Sequence, residues 1–388
     1  MKIAVILPNY NHAAFIEQAL EGVLSQTYKN WQLWVVDDGS TDDSWAIIER
    51  YRDRDSRVIA EKFPRNCGVN RAVRRCLELS NGELVCALAA DDYISNPRYF
   101  ELAVAALQRF PQAAAAYART AVVDGNDGRP LGLMGSYIPN RRAHAGVKAS
   151  ALGIPMQFIP PQEALSRFVS HHMVIPGFSV IAKRALMAEL GDYDEALGPQ
   201  SDYFLNHALA ALHGVVFIDT PVAVMRMSKS TYSGAASDDD YFRRHALVEK
   251  KLRALRLPYE TDERLWAKFR KATINCRTGE SSQRRLFEMM RGYCDSVPPG
   301  ELEMFPPEPA AFVKSLPTDC ARLETALNDQ IERARQIFNE IAGPIAALPS
   351  ELESGPRPWL KPVAEFFLTA GRVLDKALTN FGNWLWEA

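Results

Sequence analysis

The sequence predicts an α/β protein with a mainly parallel sheet, followed by a mostly α-helical C-terminal region. Up to about residue 90, short β-branched runs alternate with segments of helical periodicity, a pattern typical of βαβ units. Polar residues follow each predicted strand of this region. Beyond about residue 237 the pattern changes to helical segments interrupted by proline.

Short apolar runs bounded by turn-forming residues identify the strands. The first four are predicted at Ile3–Leu7, Gln32–Val36, Arg57–Glu61 and Leu84–Ala89. Later strands are predicted at Ala113–Ala118, Phe178–Ala182, Val215–Ile218 and Ala223–Met227. The segment from Gly125 to Pro161 is rich in Gly, Pro and basic residues, so it is expected to be a long loop.

Helical periodicity fills the intervals between these strands. The first helix carries an apolar stripe from Phe15 onwards, and Asn11 or His12 is its expected cap. The second is expected to begin at Ser40 or Thr41. Two more helices are predicted at Val69–Leu79 and Pro97–Arg109.

Composition excludes some classes of function. The 388 residues carry a formal net charge of −2, so no global field attracts nucleic acid or an anionic membrane. The six cysteines show no Cys-x-x-Cys or zinc spacing, which indicates a reducing, cytoplasmic compartment. Pro8 breaks the apolar N-terminal run too early for a signal peptide, and no apolar run is long enough for a transmembrane helix.

The polar residues after the predicted strands indicate a ligand site, because ligands of open α/β sheets bind outside the carboxyl ends of the strands. The four segments are LPNYN at 7–11, VVDDGSTD at 35–42, NCGVN at 66–70 and LAADDYISNP at 88–97. Each of the first three segments, taken alone, has a simpler explanation: Asp37 and Asp38 as a turn and helix cap, the segment at 66–68 as a turn, and Tyr10 as a partly buried aromatic residue. The ligand site is indicated because all four segments belong to the same predicted sheet.

The adjacent carboxylates Asp91 and Asp92 are the hardest to explain as a turn. Side by side at the end of a core strand, they suffer like-charge repulsion and desolvation unless a positive charge is close. Magnesium and manganese prefer carboxylate oxygen, and they often take only one or two protein carboxylates beside substrate phosphates. The doublet therefore predicts a site for Mg²⁺ or Mn²⁺.

In this order, the four segments resemble the nucleotide-binding half of an inverting glycosyltransferase of family 2, which has the Rossmann-like GT-A fold. The resemblance is close over roughly the first hundred residues and looser to about Ser233. It implies that a nucleoside diphosphate sugar lies across the strand ends. The residues implied to bind the nucleotide are Pro8, Asn9 and Tyr10 around the base, Asp38 as its hydrogen-bond acceptor, and Asn66 and Gly68.

The resemblance also implies how the diphosphate is held. Asp91 corresponds to the metal-binding aspartate of the family's Asp-x-Asp motif, and Asp92 is expected to assist through water. Ala89 stands where the first aspartate of that motif would be. Arg226 and Lys229, in a segment resembling a loop that closes over the diphosphate, are expected to neutralise its charge.

The reaction needs a base to deprotonate the acceptor hydroxyl. The segment GDYDEALGPQSDYFLNHALA offers Asp192, Asp194, Glu195 and Asp202. Asp202 is the predicted base because it opens an apolar helical run and corresponds to the family's Glu-Asp motif, with Ser201 in place of Glu. The alternative is that Asp202 only charges that helix start. Gly177 and Ser179 resemble the family's acceptor-side strand.

The expected domains are a GT-A domain at 1–236, with a nucleotide-binding half at 1–112 and an acceptor-binding half at 113–236, and a helical region at 237–388. The expected function is metal-dependent, inverting transfer from a UDP-sugar to a glycan or lipid-linked acceptor, as in bacterial surface polysaccharide synthesis. Peripheral contact of 359–388 with the inner membrane and homo-oligomer formation through the helical region are open expectations. No nucleic-acid partner is expected.

Two other functions were weighed. Because Ala89 replaces an aspartate, the chain could instead be a non-catalytic nucleotide-sugar-binding scaffold of a glycan assembly complex. A nucleotidyltransferase would usually show a Gly-rich, basic loop after the first strand, and LPNYNHAAF has none.

Overall fold

The computed structural model describes residues 1–135, 153–169, 173–227, 237–278 and 307–343. Residues Met1–Ala346 form one compact unit, and a second unit, Ala347–Ala388, lies outside the described residues. The strands are β1 Ile3–Asn9, β2 Trp31–Asp37, β3 Val58–Lys62, β4 Leu84–Ala87, β5 Tyr93–Ile94, β6 Ala115–Asp124, β7 Pro130–Met134, β8 Met156–Ile159, β9 Val180–Lys183 and β10 Val215–Met227.

The helices alternate with these strands and then continue alone. They are α1 Ile16–Leu24, α2 Ser44–Arg54, α3 Val69–Leu79, α4 Tyr99–Arg109, α5 Pro161–Val169, α6 Arg184–Glu189, α7 Ser201–His213, α8 Asp238–Arg253, α9 Glu263–Thr278 and α10 Pro307–Ala342. Two 3-10 turns, Gly177–Ser179 and Glu195–Gln200, precede β9 and α7.

Within the described residues, ten strands form a single sheet in the order β3-β2-β1-β4-β9-β6-β10-β5, with β7 beside β6 and β8 beside β10. The first four strands are parallel to one another. β9 is antiparallel to both β4 and β6, and β10 is parallel to β6. The predicted fold class, a mainly parallel sheet flanked by helices with a helical C-terminal region, is confirmed.

The two faces of the sheet bury separate apolar clusters, because successive side chains of a strand point to opposite faces. Ala4 and Ile6 of β1 face the cluster covered by α3, α5, α7 and the C-terminal helices. Ile3, Val5 and Leu7 face the cluster covered by α1, α2 and α4. Both faces are fully covered, as expected for parallel strands.

The predicted helix caps are wrong. Phe15 is at the N-cap of α1 and Asp43 at that of α2, and neither accepts a capping hydrogen bond. The polar side chains expected to cap these helices bind the turns after β1 and β2 instead. Ser40 donates to Asp37, and Asn11 accepts from the Thr41 backbone N–H.

Two strand predictions also differ from the structure. The segments at Val215–Ile218 and Ala223–Met227 are one strand, β10, whose pairing with β6 shifts on either side of Pro221. Pro221 has no N–H to donate to a neighbouring strand, so it interrupts the sequence pattern of a strand. The strand itself continues past this residue. The expected loop from 125 to 161 contains β7 and β8 in its described parts.

The C-terminal helices continue the apolar cluster begun by the sheet. Phe242 of α8, Phe269 of α9 and Phe338 of α10 are buried there together with Phe168 of α5. The domain division at residue 237 stays a prediction. No helix among the described ranges is long and apolar enough to cross a bilayer. Lys229 and the segment 359–388 lie outside the described residues.

Candidate active site

Polar segments from six strands meet at one edge of the sheet. β1 to β4 run in the same direction, so their exits at Asn9, Asp37, Lys62 and Ala87 lie at a common edge. β6 and β10 run the same way, because both lie beyond the reversed strand β9. The clustering predicted from the sequence is therefore present in the fold.

The exits of β1 and β2 are joined by a buried polar network. Asn9 pairs in register with Asp37, and its side-chain amide donates to Asp37 Oδ2 at 2.7 Å. Asp37 is fully buried and also accepts from the backbone N–H and hydroxyl of Ser40, at 2.8 and 2.6 Å. Every one of these contacts is internal. Asp37 therefore shapes the crevice wall and does not face a ligand.

Asp38 connects the β2 exit to the loop before α3. Its two carboxylate oxygens accept from the backbone N–H groups of Cys67 and Gly68, at 2.7 and 2.8 Å. Gly39 makes the tight turn with a φ of +75°, and a Cβ there would lie 2.5 Å from the carbonyl carbon of Arg65. Asp38 is 2% exposed, so in this structure its carboxylate serves to hold the loop before α3.

The remaining predicted nucleotide residues line the opening of the crevice. Tyr10 is 40% exposed, Pro8 is partly buried, and Asn66 is exposed. Asn66 accepts from the Gly68 N–H at 3.1 Å, which fixes the loop. A Cβ at Gly68 would meet no atom within 4 Å, so the space in front of this loop is open.

The positive group beside the acidic doublet is Arg226, near the end of β10. Its backbone N–H donates to Asp92 Oδ1 at 2.8 Å, and its guanidinium donates to the Asp91 carbonyl and to Gln18. The guanidinium carbon lies 4.9 Å from the ring centre of Phe15 and 5.0 Å from that of Tyr93. This cation–π arrangement holds a charged side chain within the crevice.

The two aspartates of the doublet have different surroundings. Asp92 is 4% exposed, and burial, followed by the charge of Asp91, raises the pKa of Asp92 to about 8, although Arg226 opposes the shift. Burial therefore favours the neutral form of Asp92, which weakens the repulsion within the doublet. Asp91 is partly exposed, and no partner for its carboxylate is found among the described residues.

The doublet suits a metal ion that arrives together with a ligand. No group of three or more His, Cys, Asp or Glu side chains in the described ranges could hold a metal alone. Because Asp92 is buried against Arg226, the accessible carboxylate is that of Asp91. One carboxylate completed by phosphate oxygens and water is a donor set that Mg²⁺ commonly takes, so the residues fit such an ion.

Asp202, the predicted base, lies in the first turn of α7 against Gly177. A Cβ at Gly177 would be 2.1 Å from Asp202 Oδ2, so only glycine leaves room for this carboxylate. Asp202 Oδ1 accepts from the Tyr203 N–H at 2.7 Å. Burial raises the pKa of Asp202 above its ordinary value, against the lowering effect of the backbone N–H groups.

The register of β9 brings Asp202 to the same edge as the doublet. β9 is antiparallel to β4 and pairs Ile181 with Cys86, so the residues before β9 lie beside those that follow β4. The turn Gly177–Ser179 is the segment before β9, and it packs on β4. Ser179 holds the turn by donating to the Ala118 carbonyl at 3.0 Å.

Sequence reasoning missed three residues of the site. Phe15, Gln18 and Tyr93 surround the Arg226 guanidinium, and they come from the start of α1 and from β5. In the sequence, Phe15 belongs to the apolar stripe of the first helix and Gln18 is a polar helix residue, so neither indicates a contact with Arg226. Only the pairing of β5 with β10 brings these segments together.

Comparisons with known proteins identify the class of this fold. The model of the family "Glycosyl transferase family 2" matches residues 4–187. S. aureus TarS 1–349, solved in complex with UDP-GlcNAc, is similar with a TM-score of 0.54 and 19% identity, covering 88% of this chain and 91% of that one. The fold is that of the GT-A glycosyltransferases.

A second solved structure and one curated relative are also similar. The mannosyltransferase PcManGT from Pyrobaculum calidifontis, in complex with GDP-Man and Mn²⁺, gives a TM-score of 0.50 at 17% identity, covering 87% of this chain and 86% of that one. The Escherichia coli protein "UDP-Glc:alpha-D-GlcNAc-diphosphoundecaprenol beta-1,3-glucosyltransferase WfaP" is 38% identical over 103 residues, which is 25% of this chain and 40% of WfaP.

The family assignment rests on the N-terminal half of the chain. The matched segments cover between 36% and 40% of the length of each of four curated relatives. Residues 4–187, rather less than half of the chain, match the model of glycosyltransferase family 2.

Proposed function

We propose that this protein is a metal-dependent, inverting glycosyltransferase. It transfers a sugar from a nucleoside diphosphate sugar, a UDP-sugar, to a hydroxyl of a glycan or lipid-linked acceptor, as in bacterial surface polysaccharide synthesis. The family match supports a transferase, and the names of WfaP and of the TarS complex favour a UDP-sugar. The observation that carries the proposal is the convergence of Asp38, Asp91, Arg226 and Asp202 on one sheet edge.

The donor nucleotide is proposed to lie across the strand ends. Tyr10 offers an exposed ring and Pro8 an apolar surface for the base, while Asn9 and Asp38 shape the wall behind it. Asn66 and Gly68 line the open space in front of the loop before α3. These contacts fix the donor so that the diphosphate points towards the doublet.

The diphosphate is proposed to meet Asp91 and Arg226. A magnesium or manganese ion held by Asp91 supplies, when bound, positive charge for the departing diphosphate. The Arg226 guanidinium already lies in the crevice, and its N–H groups can donate to phosphate oxygens. Asp92 keeps the backbone of Arg226 in place through its hydrogen bond.

Asp202 is proposed to be the catalytic base. Its carboxylate takes the proton of the acceptor hydroxyl while the hydroxyl oxygen forms a bond to the anomeric carbon of the donor. The bond from that carbon to the diphosphate oxygen breaks, and the diphosphate leaves with the electron pair. A positioned base of this kind contributes about 10²–10⁴-fold.

Two variants test the proposal. Asp91→Ala and Asp202→Ala should each abolish release of UDP from a UDP-sugar in the presence of acceptor. Only Asp91→Ala should weaken the manganese-dependent part of UDP binding, measured by calorimetry with and without Mn²⁺. Asp53→Ala, at an exposed position on α2, is the matched control. Full turnover by Asp202→Ala would refute the base assignment.

A non-catalytic nucleotide-sugar-binding scaffold is the second candidate. The observation that favours it is Ala89, which stands before the doublet where the resemblance calls for an aspartate. A scaffold would bind UDP-sugars but would release no UDP with any glycan or lipid-linked acceptor. Acceptor-dependent UDP release by the wild-type protein excludes this candidate.

A further inference from the structure

The turn that leads into Asp202 is bound from outside by helix α8 of the C-terminal region. We infer that Lys251 of α8 positions Asp202 for catalysis through Asp194 and Ser201. This inference rests on the proposed role of Asp202 as the base. It gives the C-terminal helices a function in turnover that the family match, which ends at residue 187, does not cover.

The contacts form a continuous chain from α8 to the base. Lys251 Nζ lies 2.6 Å from Asp194 Oδ2. The other oxygen of Asp194 accepts from the Ala196 N–H at 2.9 Å, which starts the 3-10 turn. The Asp194 carbonyl accepts from the Ser201 hydroxyl at 2.5 Å, and Ser201 is buried immediately before Asp202.

A second contact from α8 supports the same turn. Gly198 has a φ of +52°, and a Cβ there would lie 1.9 Å from Arg244 Nη1. The Arg244 guanidinium therefore packs directly on the Gly198 backbone. Asp240, one turn earlier on α8, holds Arg244 at 2.8 Å. Helix α8 therefore contacts this turn at two places, at Asp194 before it and at Gly198 within it.

Helix α8 is itself fixed, so it can act as a rigid support. Glu249, next but one to Lys251, is fully buried and accepts from Arg270 of α9 at 2.6 and 2.8 Å. At the other end of α8, Asp238 accepts from Arg277 of α9 at 2.7 Å. A shift of Asp194 relative to α8 would break the Lys251 contact.

The Asp202 carboxylate depends on this support, because the hydrogen bond that it accepts comes from the adjacent Tyr203 N–H. The backbone position of this turn therefore sets the position of the carboxylate. Ser201 reaches back to Asp194 and fixes that backbone. A misplacement of about 1 Å in a catalytic group can cost about 10²-fold in rate.

The test is a set of α8 variants assayed by steady-state release of UDP from a UDP-sugar with acceptor. Lys251→Met should lower kcat about tenfold while KM for the UDP-sugar stays within about twofold, because the donor site is untouched. Lys251→Arg should recover most of the lost kcat. The control is Lys250→Met on the exposed side of α8, which should keep wild-type kcat.

A second variant reports on the turn itself. Ser201→Ala removes the bond to the Asp194 carbonyl and should lower kcat by a similar factor with unchanged UDP affinity. In the double variant with Lys251→Met the losses should not add, because both act through one turn. Wild-type kcat in both Lys251→Met and Ser201→Ala, while Asp202→Asn is inactive, would overturn the inference alone. An active Asp202→Asn would instead overturn the proposed function.

Discussion

Asp202 is partly exposed, and the burial of its carboxylate penalises the charged form. Burial raises its pKa above the ordinary value of 3.8, so the unfolded chain loses this proton first as the pH rises. The free energy of unfolding therefore falls as the pH rises from the ordinary pKa to the folded one. Above that window the folded state bears the full cost of the buried charge, and the carboxylate is in the form that the proposed base needs.

The first prediction concerns Asp202→Asn. The variant should lose turnover but gain about 0.5–2 kcal/mol in unfolding free energy at pH 7, the usual range for relieving such a cost. Urea unfolding of both proteins at pH 4 and pH 7 measures the difference, which should shrink at pH 4. In the wild type, the acidic limb of kcat/KM should lie above pH 3.8. A stability gain that is larger at pH 4 would contradict the burial argument.

The second prediction concerns Gly177→Ala. Its Cβ would meet Asp202 Oδ2, so the carboxylate must move and turnover should fall at least about 10²-fold. UDP affinity should not change, because Gly177 lies beside the acceptor half. Combining it with Asp202→Asn should cause no further loss. Normal turnover in Gly177→Ala would show that the Asp202 carboxylate acts from another position.

The charged residues at the carboxyl ends of the strands could be predicted from the sequence, but the directions in which their side chains point could not. The residue pattern of VVDDGSTD does not distinguish Asp37 from Asp38, and only the family resemblance singled out Asp38. In the structure Asp37 is enclosed by Asn9 and Ser40, while Asp38 accepts from the Cys67 loop. That difference depends on which side chain the turn at Gly39 directs inward. It is a property of the three-dimensional turn and has no trace in residue type.

At the scale of elements, the buried ion network between α8 and α9 determines how these helices pack. Arg270 is 1% exposed and binds Glu249, which is fully buried, and it also contacts Glu263 at 2.8 Å. Burial raises the pKa of Glu249 although Arg270 and Arg253 oppose the shift. Removing one partner would leave a buried charge with less compensation.

The third prediction concerns this network. Arg270→Met should destabilise the protein by up to about 3–5 kcal/mol, because Glu249 stays buried. Adding Glu249→Leu should recover most of the loss. Arg335→Ala, at a pair whose side chains are 52% and 68% exposed, should change unfolding by less than about 0.5 kcal/mol. Denaturant unfolding of these three variants and of the wild type measures the differences. Equal effects of the two single arginine changes would contradict the prediction.

Elements with strong periodicity could be predicted, and elements set by pairing could not. Helix α3 was predicted with its observed limits because its apolar stripe and the preceding Gly68 are local signals. β5, two residues long, exists only because β10 pairs with it. The continuity of β10 through Pro221 likewise depends on its neighbours, β6 and β8.

At the scale of the whole molecule, the C-terminal helices share one apolar cluster with the sheet. The fourth prediction follows: a chain ending at residue 236 should lack a cooperative melting transition, because Phe168, Phe204 and their neighbours would lose Phe242, Phe269 and Phe338. A chain ending at residue 346 should keep the transition, because it retains the compact unit. Calorimetry of the two truncated chains distinguishes them. A cooperative transition in the shorter chain would show that the expected domain at 1–236 folds alone.

The contacts of Arg226 bear on how the protein empties its crevice after a reaction. The guanidinium donates hydrogen bonds to the Gln18 side chain and the Asp91 carbonyl, and the rings of Phe15 and Tyr93 flank it. A departing diphosphate would leave behind an arginine that exchanges one set of oxygen acceptors for another. In the proposed reaction this exchange would offset part of the interaction lost when the diphosphate departs, and Arg226 would be in position for the next donor.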